Sequence, residues 1–153
     1  MSEETEPGTE CTFDHDRLLL RLDLTFPAEA GQVTPVVSQV MKIASEMSCA
    51  EGKEFEVELS LREALANAIK HGCKNDPAKE IRLTVHCDQS RGMLLIVRDP
   101  GEGFDLESIP DPLAGDRVYA THGRGIYMMN RLMDEVRFLK KGSEIHMRKK
   151  GPG

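Results

Sequence analysis

The sequence lacks a long apolar run. No stretch approaches the roughly 18 apolar residues that a membrane-spanning helix needs, and the chain does not open with a charged segment followed by an apolar one. We therefore expect no membrane segment and a cytoplasmic location.

Cysteine is present, but never in the C-x-x-C spacing typical of zinc knuckles and redox dithiols. The four cysteines lie 38, 24 and 14 residues apart, at Cys11, Cys49, Cys73 and Cys87. His71 near Cys73 and His86 beside Cys87 leave a metal site open, but isolated cysteines are more often small core residues. We expect reduced thiols, as in other cytoplasmic proteins.

A basic excess is also absent. The chain carries 26 acidic and 20 basic residues. Six of the acids precede the first base, Arg17, at Glu3, Glu4, Glu6, Glu10, Asp14 and Asp16. The remaining 20 acids balance the 20 bases, which argues against a general nucleic-acid binder. Residues 1–16 show no apolar periodicity, so we predict a disordered tail that is a solubilising end rather than a docking site.

Residues 17–150 are predicted to form a single domain. Apolar periodicity predicts, in order, a strand at 18–26, helices at 31–47 and 54–71, strands at 80–87 and 93–98, a helix at 124–133, and the strands EVRFLKK and EIHMRK. Pro35 is compatible with the first helix only in its first turn. Gly72 is the expected stop of the second helix. This order predicts an α+β fold, a two-layer sandwich with helices on one face of a mixed, mostly antiparallel sheet.

The helix that contains LREALANAIKHG carries the first candidate site. Glu63 and Asn67 are four residues apart, so a carboxylate and an amide share one helix face, with His71 one turn further on. An amide oxygen can bind Mg²⁺, and a nearby carboxylate can accept a proton from an attacking hydroxyl. The alternative is that Glu63, Asn67 and Lys70 form the solvated face of an amphipathic helix.

A second candidate lies in VRDPGEGFD, where a strand runs into D-x-G-x-G at Asp99, Gly101 and Gly103. A carboxylate at a strand end can accept a hydrogen bond from an exocyclic amine, and glycines let the backbone approach a ligand. An Asp-Pro-Gly turn needs no ligand, so the motif is weak by itself.

The third candidate is the sequence Gly123-Arg124-Gly125, predicted to open a helix after a long connection over residues 100–123. Free N–H groups at a helix N-terminus bind anions, and the Arg124 guanidinium adds a donor fork for phosphate. The alternative is a glycine-rich helix start with an exposed arginine.

Together, E-x-x-x-N on a helix, D-x-G-x-G after a strand and G-x-G opening a later helix resemble the GHKL (Bergerat-fold) ATPase superfamily. GRGIYMMNRLMDEV followed by KGSEIHMRKK looks most like its anti-sigma-factor serine/threonine kinase branch, the RsbW-like proteins with a histidine-kinase-like ATPase domain. Only about 55 residues precede the E-x-x-x-N helix. We therefore do not expect the phosphoacceptor hairpin of a sensor histidine kinase.

The resemblance implies a role for residues in each motif. In the first, Glu63 matches the general base and Asn67 the Mg²⁺ ligand, while Lys70 and His71 match positions that can face the phosphates. In the second, Asp99 matches the acceptor for the adenine amine, and Gly101 and Gly103 match the turn behind the base and the start of the lid. In the third, the residues that match the phosphate-binding glycine box are Gly123, Arg124 and Gly125. Ser143 matches a position near adenine where a hydroxyl residue is common.

The resemblance also implies a function: an ATP-dependent protein serine kinase that uses Mg²⁺. It would bind a sigma factor and phosphorylate a STAS-domain anti-anti-sigma protein, with no direct contact to nucleic acid. Members of this branch commonly form homodimers. A nucleotide-gated binding protein without significant kinase activity stays open as the alternative, although such a switch has no need of Glu63. A scaffold that binds no nucleotide is a third alternative, and it predicts no rise in melting temperature with ATP.

Overall fold

The computed structural model describes residues 20–88, 90–101 and 121–151, with only the backbone described at 121–124. Three helices and five strands in this part of the chain follow the predicted order. They are β1 Leu20–Pro27, α1 Val33–Met47, α2 Glu54–Asn67, β2 Glu80–Asp88, β3 Gly92–Arg98, α3 Thr121–Leu132, β4 Glu135–Leu139 and β5 Glu144–Lys149. None of the described helices is long and apolar enough to cross a membrane.

The strands form one sheet in the order β1-β2-β3-β5-β4, and all four pairings are antiparallel. Because side chains alternate between the faces of a strand, one face collects most of the apolar residues of the strands. These pack against the three helices in a single core, which includes Leu83, Leu95 and Met147 from the central strands. The predicted α+β class, with helices on one face of the sheet, is confirmed.

The helix α1 follows a single 3₁₀ turn at Ala30–Gln32, and Pro35 is its third residue. A proline there removes an N–H that has no partner within the helix, so it costs little, as predicted. Val36, Val37, Val40 and Ala44 are buried and form the stripe that packs on the core.

A disulfide joins Cys49 and Cys87, whose Cα atoms are 5.8 Å apart. Cys49 follows the left-handed Ser48 that ends α1, and Cys87 lies on the helix-covered face of β2. The prediction of reduced thiols is therefore wrong for this pair, because periodicity does not reveal that the end of α1 lies over the end of β2. Cys73 is a buried free thiol, and Cys11 lies outside the described residues.

The metal site left open by the cysteines and histidines has no counterpart in the described residues. Within residues 20–88, 90–101 and 121–151, no group of three or more His, Cys, Asp or Glu side chains could hold a metal ion.

Candidate functional site

The helices α2 and α3 meet at the predicted catalytic residues. A Cβ built on Gly125 of α3 would lie 2.6 Å from Glu63 Oε1 and 3.5 Å from Asn67 Nδ2. The backbone of α3 therefore lies directly against the polar face of α2, in a position that only a glycine can occupy without displacing the carboxylate. The first and third motifs, 62 residues apart from Glu63 to Gly125, are brought together here.

Asn67 is buried, with 7% of its surface exposed. Among the described residues, its Nδ2 has no hydrogen-bond partner. Buried amides nearly always find partners, and one without a partner at the junction of two motifs is available to a ligand. The alternative interpretation, that this is the solvated face of an amphipathic helix, does not fit a buried Asn67.

The helix α2 continues into one wider turn at Ala68–Gly72, where the Cys73 N–H donates to the Ala68 carbonyl at 2.8 Å. This bond spans five residues, as in a π-helix, and such turns occur often at functional sites. The turn carries Lys70, which is exposed, and His71, which is half-buried. Both follow Asn67 toward the end of α2 that meets β3.

Gly72 ends this turn against Asp99. A Cβ at Gly72 would overlap the Asp99 carboxyl group, and one at Gly101 would overlap the Gly72 carbonyl. Gly72 is not among the residues with positive φ in the described chain. The glycine is required here by the close approach of Asp99, rather than by the left-handed conformation expected of a helix stop.

Asp99 directly follows β3, and its carboxylate is held in a defined orientation. Its N–H donates to the Ser143 carbonyl at 2.9 Å, and its Oδ1 accepts from the Gly101 N–H at 2.7 Å. Burial raises the pKa of this carboxyl, against the opposing effects of the Gly101 N–H and the Lys79 charge. Within the described residues, no hydrogen bond to Oδ2 is seen, and a carboxylate oxygen can accept one from a ligand.

Ser143 lies beside Asp99 through its backbone, and its own hydroxyl donates to the Lys140 carbonyl at 2.9 Å. Reasoning from the sequence missed two neighbours of Asp99. Lys79 is near enough to lower the pKa of the Asp99 carboxyl. Asp99 in turn helps raise the pKa of the buried Cys73 thiol, after the larger effect of burial. Cys73 directly follows the E-x-x-x-N helix, but Lys79 lies in a turn without any pattern that could have identified it.

The structure describes only some of the remaining predicted site residues. The helix α3 begins at Thr121, three residues before the predicted start at Arg124, so Gly123 and Arg124 are its third and fourth residues. The first four N–H groups of a helix have no partner within it, so both residues lie in the first turn, where N–H groups are able to bind an anion. Gly125 is past that turn. Gly103 and the side chain of Arg124 lie outside the described residues.

Residues 26–149 match the family described as the histidine kinase-like ATPase domain. The chain is 28% identical over 138 residues to the serine-protein kinase RsbW of Bacillus licheniformis, covering 84% of each protein. It is 27% identical over 122 residues to RsbW of Bacillus subtilis, covering 76% of each. It is 29% identical over 99 residues to the anti-sigma F factor of Shouchella clausii, covering 61% of this chain and 67% of that protein. The match to the ATPase domain spans most of the chain and implies ATP binding, and the chain belongs to the histidine kinase-like ATPase family.

Proposed function

We propose that this chain is an ATP-dependent protein serine kinase and anti-sigma factor, which binds a sigma factor and phosphorylates a STAS-domain anti-anti-sigma protein. The observation that carries the proposal is that Glu63 lies against Gly125, on a helix whose last turn packs against Asp99 at Gly72. One helix thereby connects a carboxylate base to an adenine acceptor. The similarity to proteins named serine-protein kinase RsbW and anti-sigma F factor supports the same assignment.

The nucleotide would lie along the polar side of α2. Asp99 Oδ2 would accept the adenine amine, because Oδ1 is already occupied by the Gly101 N–H. Phosphates would extend toward the first turn of α3, where the N–H groups of Gly123 and Arg124 favour negative charge. Lys70 and His71, in the last turn of this helix, would face the phosphates.

The described residues fit a magnesium ion bound mainly by the nucleotide. Mg²⁺ keeps several waters and takes few protein ligands besides phosphate oxygens. The buried Asn67 amide would supply one oxygen, and the alternative assignment of its amide group leaves an oxygen where Nδ2 now has no partner. When bound, the ion would neutralise negative charge on the phosphates.

Glu63 is the proposed catalytic base. Its Oε1 lies at the Gly125 backbone, close to the turn that would hold the phosphates. From there the carboxylate would orient the substrate serine and accept its proton as the hydroxyl attacks. Phosphoryl transfer depends mostly on positioning and electrostatics, so a base and a phosphate-binding turn can suffice.

The test is phosphotransfer to a candidate STAS-domain partner with Mg·ATP, read as phosphoserine by mass spectrometry. Glu63→Gln should lower the rate by about 10²- to 10⁴-fold, the usual contribution of a general base, while ATP affinity changes little. Glu46→Gln, at an exposed position on α1, is the matched control. Equal rates in the two variants would remove Glu63 from this role.

Two other experimental outcomes would change the proposed function. Partner affinity that depends on ATP, without phosphate transfer, would identify a nucleotide-gated binding protein instead. Failure to capture a sigma factor from cell extract would contradict the proposed anti-sigma activity.

The proposal also includes a cytoplasmic location and a homodimer. Sedimentation equilibrium of the full chain measures whether the dimer forms.

A further inference from the structure

The strand register places Lys79 close to Asp99. The last pair of the β2–β3 ladder is Arg82 with Arg98, and one residue further Ile81 comes opposite Asp99. Ile81 belongs to the core on the helix-covered side of the sheet, and alternation places Lys79, two residues earlier, on the same side. The Asp99 carboxyl meets the end of α2 on that side as well. Diagonal neighbours across a strand pair are about 7–8 Å apart, within reach of a long side chain.

Backbone hydrogen bonds fix the position of Lys79. Its carbonyl accepts from the Ala28 N–H at 2.9 Å, next to the pairing of Pro27 with Glu80 that ends the β1–β2 ladder. Its own N–H donates to the Asp76 carbonyl at 3.0 Å. Lys79 is therefore anchored to β1 on one side and to the turn that follows α2 on the other.

The charge of Lys79 acts on Asp99 and on its neighbour Cys73. Burial raises the pKa of the Asp99 carboxyl, while the Gly101 N–H and then the Lys79 charge lower it. Burial and then the Asp99 charge raise the pKa of the Cys73 thiol, which Lys79 lowers and Asp76 raises further. Both Asp99 and Cys73 lie at the end of α2, so the two effects agree with the side of the sheet that the register gives for Lys79.

Lys79 is the one charged side chain of the described residues that lowers the pKa of the Asp99 carboxyl. Lys70 and His71 lie on the last turn of α2, and Arg98 pairs with a glutamate of β5 on the opposite side of the sheet at 3.4 Å. In the part of the chain that the structure describes, Lys79 itself is in no ion pair. No closer acid there neutralises its charge.

The charge state of Asp99 decides how its second oxygen can hydrogen-bond. Oδ1 already accepts from the Gly101 N–H at 2.7 Å, so a proton taken up by the buried carboxyl would lie on Oδ2. A protonated carboxyl oxygen donates a hydrogen bond. It would then face a nucleotide amine that also donates, and the hydrogen bond between them would be lost.

We infer that Lys79 is a positioning residue of the adenine site, whose ammonium group holds the Asp99 carboxylate in the charged form that accepts from the nucleotide amine. The inference rests on the proposed binding of adenine at Asp99 and adds to it a residue that no motif contains. Lys79 acts through Asp99 rather than by contact with the nucleotide.

The first test needs no nucleotide. Carboxyl-carbon NMR follows Asp99 through an acid titration in the parent, Lys79→Met, Lys79→Arg and Lys42→Met, with Asp99→Asn to assign the signal. Because an opposite charge nearby lowers the pKa of a carboxyl, the Asp99 titration should move to higher pH in Lys79→Met. Lys79→Arg keeps the charge and should titrate near the parent. Lys42, exposed on α1, is the matched control and should have no effect.

The second test compares a non-hydrolysable ATP analogue with a nucleotide that has hydrogen in place of the adenine amine. As the pH falls from about 8 to about 5, Lys79→Met should lose affinity for the ATP analogue at a higher pH than the parent does. The difference should be several-fold at the acid end and absent at the alkaline end. The nucleotide without the amine makes no bond to Asp99, so both proteins should bind it equally at every pH.

An Asp99 titration that is the same in the parent and in Lys79→Met would overturn the inference. So would an equal loss of affinity for both nucleotides at every pH, because Lys79 would then contact a part that the two share, such as the phosphates. A parent protein that binds neither nucleotide would contradict the proposed function itself. The two failures can be told apart, since the Asp99 titration is measured without nucleotide.

Discussion

The Asp99 carboxylate occupies the space that a side chain at Gly72 would need. A Cβ on Gly72 would overlap the carboxyl group, whose Oδ1 is fixed at 2.7 Å from the Gly101 N–H. The end of α2 and the end of β3 can approach this closely because residue 72 has no side chain. The orientation of the proposed adenine acceptor thus depends on a glycine on another element.

Gly72→Ala should therefore weaken ATP binding without unfolding the protein. Displacing Asp99 would cost about one hydrogen bond to a charged group, roughly 1.5 to 3 kcal/mol, or about 10- to 150-fold in Kd. Calorimetric titration with a non-hydrolysable ATP analogue measures this loss. Gly31→Ala is the control, since a Cβ there would meet nothing within 4 Å. The steric account fails if both variants bind the analogue equally well.

Gly125→Ala should affect transfer more than binding. A new Cβ 2.6 Å from Glu63 Oε1 must push the carboxylate aside or separate the two helices. Misplacing a catalytic group by about 1 Å can cost about 100-fold in rate. Single-turnover phosphotransfer at saturating ATP checks the prediction, and circular dichroism confirms the fold. A rate equal to that of the parent protein would show that Glu63 does not need its present position.

Reducing the Cys49–Cys87 disulfide should destabilise the domain. The bond closes a loop with a sequence separation of 38 residues. The chain-entropy model gives roughly 3 to 4 kcal/mol for a loop of that size. Urea denaturation of the protein with and without dithiothreitol measures the change, and the double variant C49S/C87S should match the reduced protein. Cys73→Ser, which leaves the disulfide intact, should keep the response to dithiothreitol.

The same reduction should leave ATP affinity nearly unchanged. Cys87 pairs with Met93 at one end of the sheet, and Asp99 lies six residues further along the chain beyond the other end of β3. At about 3.3 Å per residue, the disulfide is roughly 20 Å from Asp99, the proposed adenine acceptor. Titration of the ATP analogue into the reduced protein tests this separation, and a large loss of affinity would show that the two ends are coupled.

Acid should remove the contribution of Asp88 to the stability of the folded protein. Burial alone would raise the pKa of its carboxyl, but hydrogen bonds from Arg91 and Ser90 lower it from 3.8 to about 2. The stabilisation is therefore complete above pH 3.8 and is lost as the pH falls toward 2. The difference in unfolding free energy between the parent and Asp88→Asn should shrink over that range. A difference that stays constant from pH 5 to pH 2.5 would contradict the assignment.

Helices and strands with a strong apolar periodicity could be predicted from the sequence. Alternation in β1 and the helical stripe of α2 identified both elements, and the spacing of Glu63 and Asn67 placed them on one helix face. These features depend on neighbours along the chain. The order of the strands in the sheet and the Cys49–Cys87 pairing depend on contacts between distant segments, which no local pattern contains.

Within the proposed site, the sequence motifs named the candidate residues but not the residues that position them. Gly72 was interpreted as a helix stop because a glycine after a helix is usually explained by its conformation. Its contact with Asp99 exists only after β3 is placed beside α2. Lys79 likewise influences Asp99 from a turn, and only the folded chain brings the two together.

The continuous run from α2 through its wider last turn has a geometric consequence. Glu63 and Gly72 are nine residues apart, and an α-helix rises about 1.5 Å per residue, so the two ends of the site are separated by about 13 Å. A single inserted residue between them would turn one end by about 100° relative to the other. The helix would survive such an insertion, but the proposed base and the proposed adenine acceptor would no longer face the same nucleotide.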